Sequence, residues 1–137
     1  MSTPISPDLQ ACLLCEDVRQ EVNGNFFAIG ILGVLVVPAL PITAPKLCIF
    51  SRWCCGMGTF PVLYRLILPD NTSVIASSKG ELRLASVDDH VTQVTVFGNV
   101  QFQQEGVHWI EVHLENELKL RVPLPLKIAL PRPQSTA

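Results

Sequence analysis

Trp109, Glu111 and His113 occupy alternate positions near the carboxyl end of the chain, and they have the residue types and spacing for chemistry. On an extended strand, residues two apart share a face, so a carboxylate there stands beside an imidazole, half of a general acid–base pair. The pair lacks a nucleophile. No G-x-S-x-G elbow occurs, and Ser51, Ser73, Ser77, Ser78 and Ser86 stand in no recognisable motif. Without one, the three residues describe a solvated sheet face carrying an exposed aromatic. His108 alternates to the other side with Ile110 and reads as a core histidine held by a backbone partner.

The cysteines pose the second chemical question. Cys12-Leu13-Leu14-Cys15 has the spacing of a metal knuckle or a redox pair, and Cys54-Cys55 could supply further thiolates. Zinc knuckles need tight turns and redox pairs open a helix. Here the spacing falls in an apolar stretch that reads as a strand, where residues three apart point to opposite faces, and adjacent Cys54 and Cys55 should diverge in the same way. The thiols then read as small hydrophobes, and no metal or cofactor is expected. Asp88-Asp89-His90 and Asp70-Asn71 raise calcium, which wants about six to eight oxygens; the two loops offer about four, so turn solvation is the better reading. Gly56-Met57-Gly58 is too short for a phosphate cradle, and no helix follows it.

These residues have to be placed by strands. Leu118 to Leu130 reads L-K-L-R-V-P-L-P-L-K-I-A-L, aliphatic at every even position, which only an extended chain gathers onto one face. Pro123 and Pro125 share one parity, so both lack a donor on the same side. The strand should therefore lie at a sheet edge and pair on one side only beyond Val122. Leu9 to Val18 is the first strand, and Asn23-Gly24 suits a type I′ hairpin turn. Phe26 to Val37, apolar on both faces, is expected as a central strand, followed by a proline-rich crossover from Pro38 to Pro45. Further strands run Lys46–Cys54 and Phe60–Leu68; a turn at Pro69–Thr72 leads to a short strand, and a turn at Lys79-Gly80 precedes Glu81–Ala85. In Val91–Gln103, Val94, Val96, Val100 and Phe102 face inward, and Gly98 interrupts the row with a bulge or a close backbone contact. Phe97 then faces outward, joining Trp109, with Trp53 and Tyr64 ambiguous. Val107–Leu114 and a tight turn at Glu115-Asn116 lead into the last strand.

The pattern predicts an all-β fold, an antiparallel β-sandwich of eight or nine strands, immunoglobulin-like or C2-like, without substantial helix. A loose arm (residues 1–8), one domain (9–131) and a tail (132–137) complete the organisation. At 137 residues the chain can bury a core without staples. A net charge of −2 without a basic run disfavours nucleic acid and anionic lipid as partners. Five cysteines, an odd number, behind a start with neither basic n-region nor apolar h-region point to the cytoplasm. The uncharged stretch 25–45 approaches the length of a membrane span, but Gly30, Gly33, Pro38 and Pro41 break it, so no membrane is expected.

Ala11-Cys12, Cys15-Glu16-Asp17-Val18-Arg19, Glu21, Asn23-Gly24 and Ile29-Gly30, followed by Pro45-Lys46-Leu47-Cys48-Ile49-Phe50, resemble a small bacterial family of uncharacterised proteins with a C-E-D-V-R-x-E opening. The resemblance covers mainly the first third and implies a compact bacterial β-domain with no catalytic residues to carry over. This chain has Asn25 where the family pattern places a lysine shortly after the turn. Glu16, Asp17 and Arg19 should form a local salt bridge or hairpin-end hydrogen bonds.

The expected function is a non-catalytic protein–protein interaction or self-association module, with Phe97, Trp109, Glu111 and His113 as the contact surface. Two alternatives stand beside it. One is a small hydrolase or thiol enzyme using His113 with Glu111 or a cysteine, and the other is a structural subunit of a larger, phage-derived assembly.

Overall fold

The computed structural model describes residues 3–129. Nine strands follow one another: β1 (Asp8–Gln20), β2 (Phe26–Ile31), β3 (Leu35–Val37), β4 (Ile42–Cys54), β5 (Gly58–Ile67), β6 (Val74–Leu84), β7 (His90–Phe102), β8 (Gly106–Leu114) and β9 (Glu117–Ile128). They form a four-stranded sheet ordered β2-β1-β4-β7 and a five-stranded sheet ordered β3-β9-β8-β5-β6. All ladders are antiparallel except β3–β9. The two sheets pack face to face, the all-β sandwich that period-two alternation predicts.

Inward positions of both sheets make one core, with Ile49, Trp53, Tyr64, Leu66, Leu82, Val112, Leu124 and Leu126 each at most 1% exposed. Each such side chain stabilises by about 1.5–3 kcal/mol relative to an exposed one. Ser51, Tyr64 and Trp53 are partnered through a small network, whereas the buried His108 Nε2 has no hydrogen-bond partner among the described residues. Ser51 Oγ shares a hydrogen bond with Tyr64 Oη and lies 3.2 Å from the Gln93 carbonyl, while Trp53 Nε1 donates to Tyr64 Oη.

The alternating seam of β9 does face this core at Leu124 and Leu126, but its ends, Leu118 and Ile128, are exposed. Leu130 lies outside the described residues. The prolines sit opposite Trp109 and Val107 of β8, with their missing donors turned away from that ladder. On the other side β9 is not an edge: β3 pairs with it in parallel at Leu126, Lys127 and Ile128. The second partner starts one residue after Pro125, where donors resume, so the proline block holds for its own segment and not for the strand.

The expected central strand from Phe26 to Val37 is two edge strands in different sheets. Among the described residues β2 pairs only with β1 and β3 only with β9. Gly30, at φ +65, and the Leu32–Val34 passage let the chain leave one sheet and join the other. The uncharged stretch 25–45 is thereby divided among β2, β3 and the start of β4, and no helix among the described residues is long and apolar enough to cross a membrane.

The β1–β2 hairpin also bends back. Its register sets Phe26 beside Gln20, while Phe50 of β4 sits beside Leu13. At ~3.3 Å per residue a flat ladder would hold these rings roughly 20 Å apart. Their centroids are 6.4 Å apart in an edge-on contact, so the hairpin folds over the outer face of its own sheet. Cys15 and Cys48, paired on that face, are covered by the fold-back and are 0% and 1% exposed. Asp17 near the bend is held by Arg19 at 3.1 Å, the local salt bridge expected there, and by Lys46 from β4 at 2.6 Å.

Turn chemistry differs from the sequence reading at three places. At Glu21–Asn25 only Gly24 has positive φ, giving a turn closed by Gly24 N–H to the Glu21 carbonyl; the pair with both residues at positive φ is Glu115-Asn116. Lys79-Gly80 is not a turn, because pairing with Leu63 and Val62 keeps β6 extended through it. β4 starts at Ile42, inside the expected proline crossover, because Ile42, Thr43 and Ala44 find partners on β7. Just before β1, Ile5 is tied down, exchanging both backbone hydrogen bonds with Met57.

Candidate functional site

Trp109, Glu111 and His113 do share the outer face of β8, in the middle of the five-stranded sheet. The register then brings up neighbours that alternation within one strand cannot reveal. Arg65 and Arg121 stand directly opposite Glu111, from β5 and β9. Arg65 Nη2 donates to Glu111 Oε1 at 2.8 Å, His113 Nε2 lies 3.1 Å from the same oxygen, and Arg121 Nε lies 3.6 Å from Oε2. Arg121 continues upward, with its guanidinium carbon 3.9 Å from the centroid of the Trp109 ring and Nη2 donating to Asn71 Oδ1 in the β5–β6 turn. Opposite Trp109, Ile67 is 1% exposed although its neighbour Leu66 is the one that points into the inter-sheet core. Trp109 and the stacked guanidinium therefore form a lid over an apolar spot on the outside of the sheet.

Burial alone would raise the Glu111 carboxyl, but the hydrogen bonds from Arg65 and His113 outweigh it and hold the group below the usual carboxylate range. A carboxylate so engaged is a weak proton acceptor, and Glu111 is the only side-chain hydrogen-bond partner of His113 among the described residues. His113 also borders an open depression of about 340 Å³ with Pro61, Leu63, Lys79, Gly80 and Asn116.

Phe97 does not belong to this face. It is 5% exposed and lies in the core, on the other sheet. Simple alternation gives the wrong phase here, because Asn99 at φ +52 reverses which side the strand presents. Thr95 and Phe97 point inward before it, Val100 and Phe102 after it, and Val96 is 52% exposed. Gly98 itself has no tight neighbour, its nearest contact being the Pro45 carbonyl 4.0 Å from where a Cβ would stand. Trp53 and Tyr64 are core residues as well.

His108 is fully buried, edge-on to Phe102 at 5.1 Å, with Nδ1 3.2 Å from the Gly106 carbonyl; desolvation lowers its pKa. Cys12 packs against the core while Cys15 lies on the outer face, so that pair diverges. Cys54 and Cys55 do not, their sulfurs being 3.6 Å apart. Asp70 is spent on its own turn, accepting from Thr72 and Ser73, and Asn71 on Arg121. Among the described residues no three His, Cys, Asp or Glu side chains are grouped to hold a metal ion.

Charge is distributed unevenly. Of ten Lys and Arg in the chain, six (Arg65, Lys79, Arg83, Lys119, Arg121 and Lys127) stand on the strands of the outer face of the five-stranded sheet, against three of twelve acids, Glu81, Glu111 and Glu117, while Asp70, Glu105 and Glu115 lie in the turns at its rim. A chain of net charge −2 thus carries a sheet surface whose strands hold a surplus of about three positive charges, ringed by acids in the turns.

Fold and face together define a two-sheet β-domain with a basic, aromatic-centred sheet surface. The chain belongs to the family described as "Family of unknown function (DUF6941)", whose model matches residues 10–127. No curated protein matches it.

Proposed function

We propose that this protein is a non-catalytic binding module that takes an acidic segment of a partner protein on the outer face of its five-stranded sheet, around Trp109. The observation that carries the reading is the gathering of six of the chain's ten cations onto that face. Cations on neighbouring strands complement a carboxylate-rich surface, steer its approach and reject basic partners. Trp109 adds a rigid ring at the centre, where aromatic anchors contribute most. Glu111 works as the organiser: it aligns Arg65, His113 and Arg121 from three strands, so little side-chain freedom is lost when a partner arrives. Proline at two positions of β9 favours pairing by the face over the addition of strands there. The setting we attach to this reading is a bacterial cytoplasm, supported by five free thiols.

Titration with fluorescent poly-glutamate, followed by anisotropy across a salt series, tests this. Binding that weakens with salt, is lost in the double variant Lys79→Glu, Arg121→Glu and persists in Arg52→Glu on the other sheet is the expected result. Equal binding by all three proteins, or none, overturns it. Tighter binding of single-stranded DNA at the same residues replaces the acidic protein with a nucleic acid. A dimer in light scattering that the double variant dissolves replaces it with a second copy. Ester hydrolysis abolished by His113→Ala overturns the non-catalytic reading.

A further inference from the structure

Cys54 closes β4 and Cys55 opens the turn that follows. Two adjacent strand residues point apart, but Cys55 has φ +63, outside the strand region, and this swings its sulfur back to 3.6 Å from that of Cys54. Cys55 is exposed and Cys54 partly so. The other three thiols lie in the core or are enclosed on the sheet. Cys15 and Cys48 are buried, their S–H groups directed at the Cys48 and Glu16 carbonyls, and Cys12 packs against the core. Burial pushes Cys12 and Cys15 up to about 11, and the hydrogen bond with Cys55 raises the Cys54 thiol as well. Accessibility and the 3.6 Å sulfur separation single out Cys54 and Cys55 as the pair open to a reagent.

We propose that Cys54 and Cys55 form a thiol–disulfide exchange site whose substrate is a small organic disulfide. The exposed Cys55 thiolate attacks one sulfur of the disulfide, forming a mixed disulfide and releasing one small thiolate. The Cys54 thiolate then attacks the Cys55 sulfur, closing the Cys54–Cys55 disulfide and releasing the second. Two protein thiols are oxidised, one small disulfide is reduced to two thiols, and the two protons lost by the cysteines go to the departing thiolates.

The closed form is easily reversed. Adjacent Cα atoms across a trans peptide are about 3.8 Å apart, shorter than the roughly 4.4–6.8 Å of relaxed disulfides, so the ring is strained and readily reduced. Closure also reaches the amino-terminal arm. A Cβ on Gly56 would lie 2.6 Å from Pro7 Cβ, and Met57 holds Ile5 by two backbone bonds, so the turn cannot move without disturbing residues 5–7.

The test incubates the reduced full-length protein with oxidised glutathione, blocks free thiols and maps peptides by mass spectrometry. The expected wild-type product lacks two hydrogens at Cys54–Cys55 and is restored by dithiothreitol, with faster amide exchange at Ile5 and Met57 while it is closed. Cys54→Ser should stop at glutathione on Cys55, and Cys55→Ser should lose both products. A persistent wild-type mixed disulfide, a bridge between Cys15 and Cys48, a chain-to-chain disulfide, or a Cys54–Cys55 pair that stays reduced overturns the proposal.

Discussion

Glu111 receives three cationic or potentially cationic groups, and removing its charge leaves two guanidiniums facing each other across β8. Glu111→Gln should lower stability by about 1–2 kcal/mol, less than a fully buried pair because both arginines reach solvent, measured by urea unfolding at neutral pH. Its pKa is depressed in the fold, as are those of Asp17, held near 2 by Lys46 and Arg19, and Asp70, held near 2 by Ser73 and Thr72. Depressed carboxylates stabilise above their unfolded values and lose that contribution as pH falls through the folded ones. The melting temperature should therefore fall between pH near 4 and pH near 2, and Asp70→Asn should flatten part of that fall. Asn99 makes a different point. A left-handed residue with a Cβ costs about 1–2 kcal/mol unless it is Asn, Asp or Gly, so Asn99→Val should destabilise by that amount and Asn99→Gly should be nearly neutral, both read from thermal melts. The sequence shows Trp109, Glu111 and His113 on one face because their spacing suffices. Arg65 and Arg121 cannot be joined to them without the register, and alternation puts Phe97 on the wrong side because one left-handed residue reverses the order that ordinary counting assumes.

Strand by strand, what could be read depended on whether an element's partner was nearby in the chain. β8 and β9, joined by a two-residue turn, were visible from alternation, as was the β1–β2 hairpin. β3 was not, since three residues pairing in parallel with a strand far along the chain leave no periodic trace. The division of Phe26–Val37 follows the same logic: an apolar run fits a central strand, but it also fits two edges whose inner faces are covered and whose outer residues are left bare. β2 has such an edge, with Phe27, Ile29 and Ile31 at 42%, 39% and 60% exposure and no Lys or Pro to discourage pairing. Ile31→Lys should suppress turbidity on prolonged warming while changing the unfolding free energy by no more than about 0.5 kcal/mol.

At the level of the whole molecule, most pairings join segments distant in the chain, such as β4 with β7 and β5 with β8, so loop closure precedes any reward. Refolding followed by tryptophan fluorescence should take milliseconds to seconds rather than microseconds. The two-sheet class was readable because alternation and turn spacing repeat along the chain, whereas the order of strands was not, because it is decided by which edges meet. The passage at Leu32–Val34 ties the sheets on one flank as β6 and β7 do on the other. Severing a peptide bond at Gly33 would leave β1 zipped to β4 and Phe26 seated on Phe50, so the pieces on either side of the cut should stay together, and when made separately should reconstitute one particle on mixing.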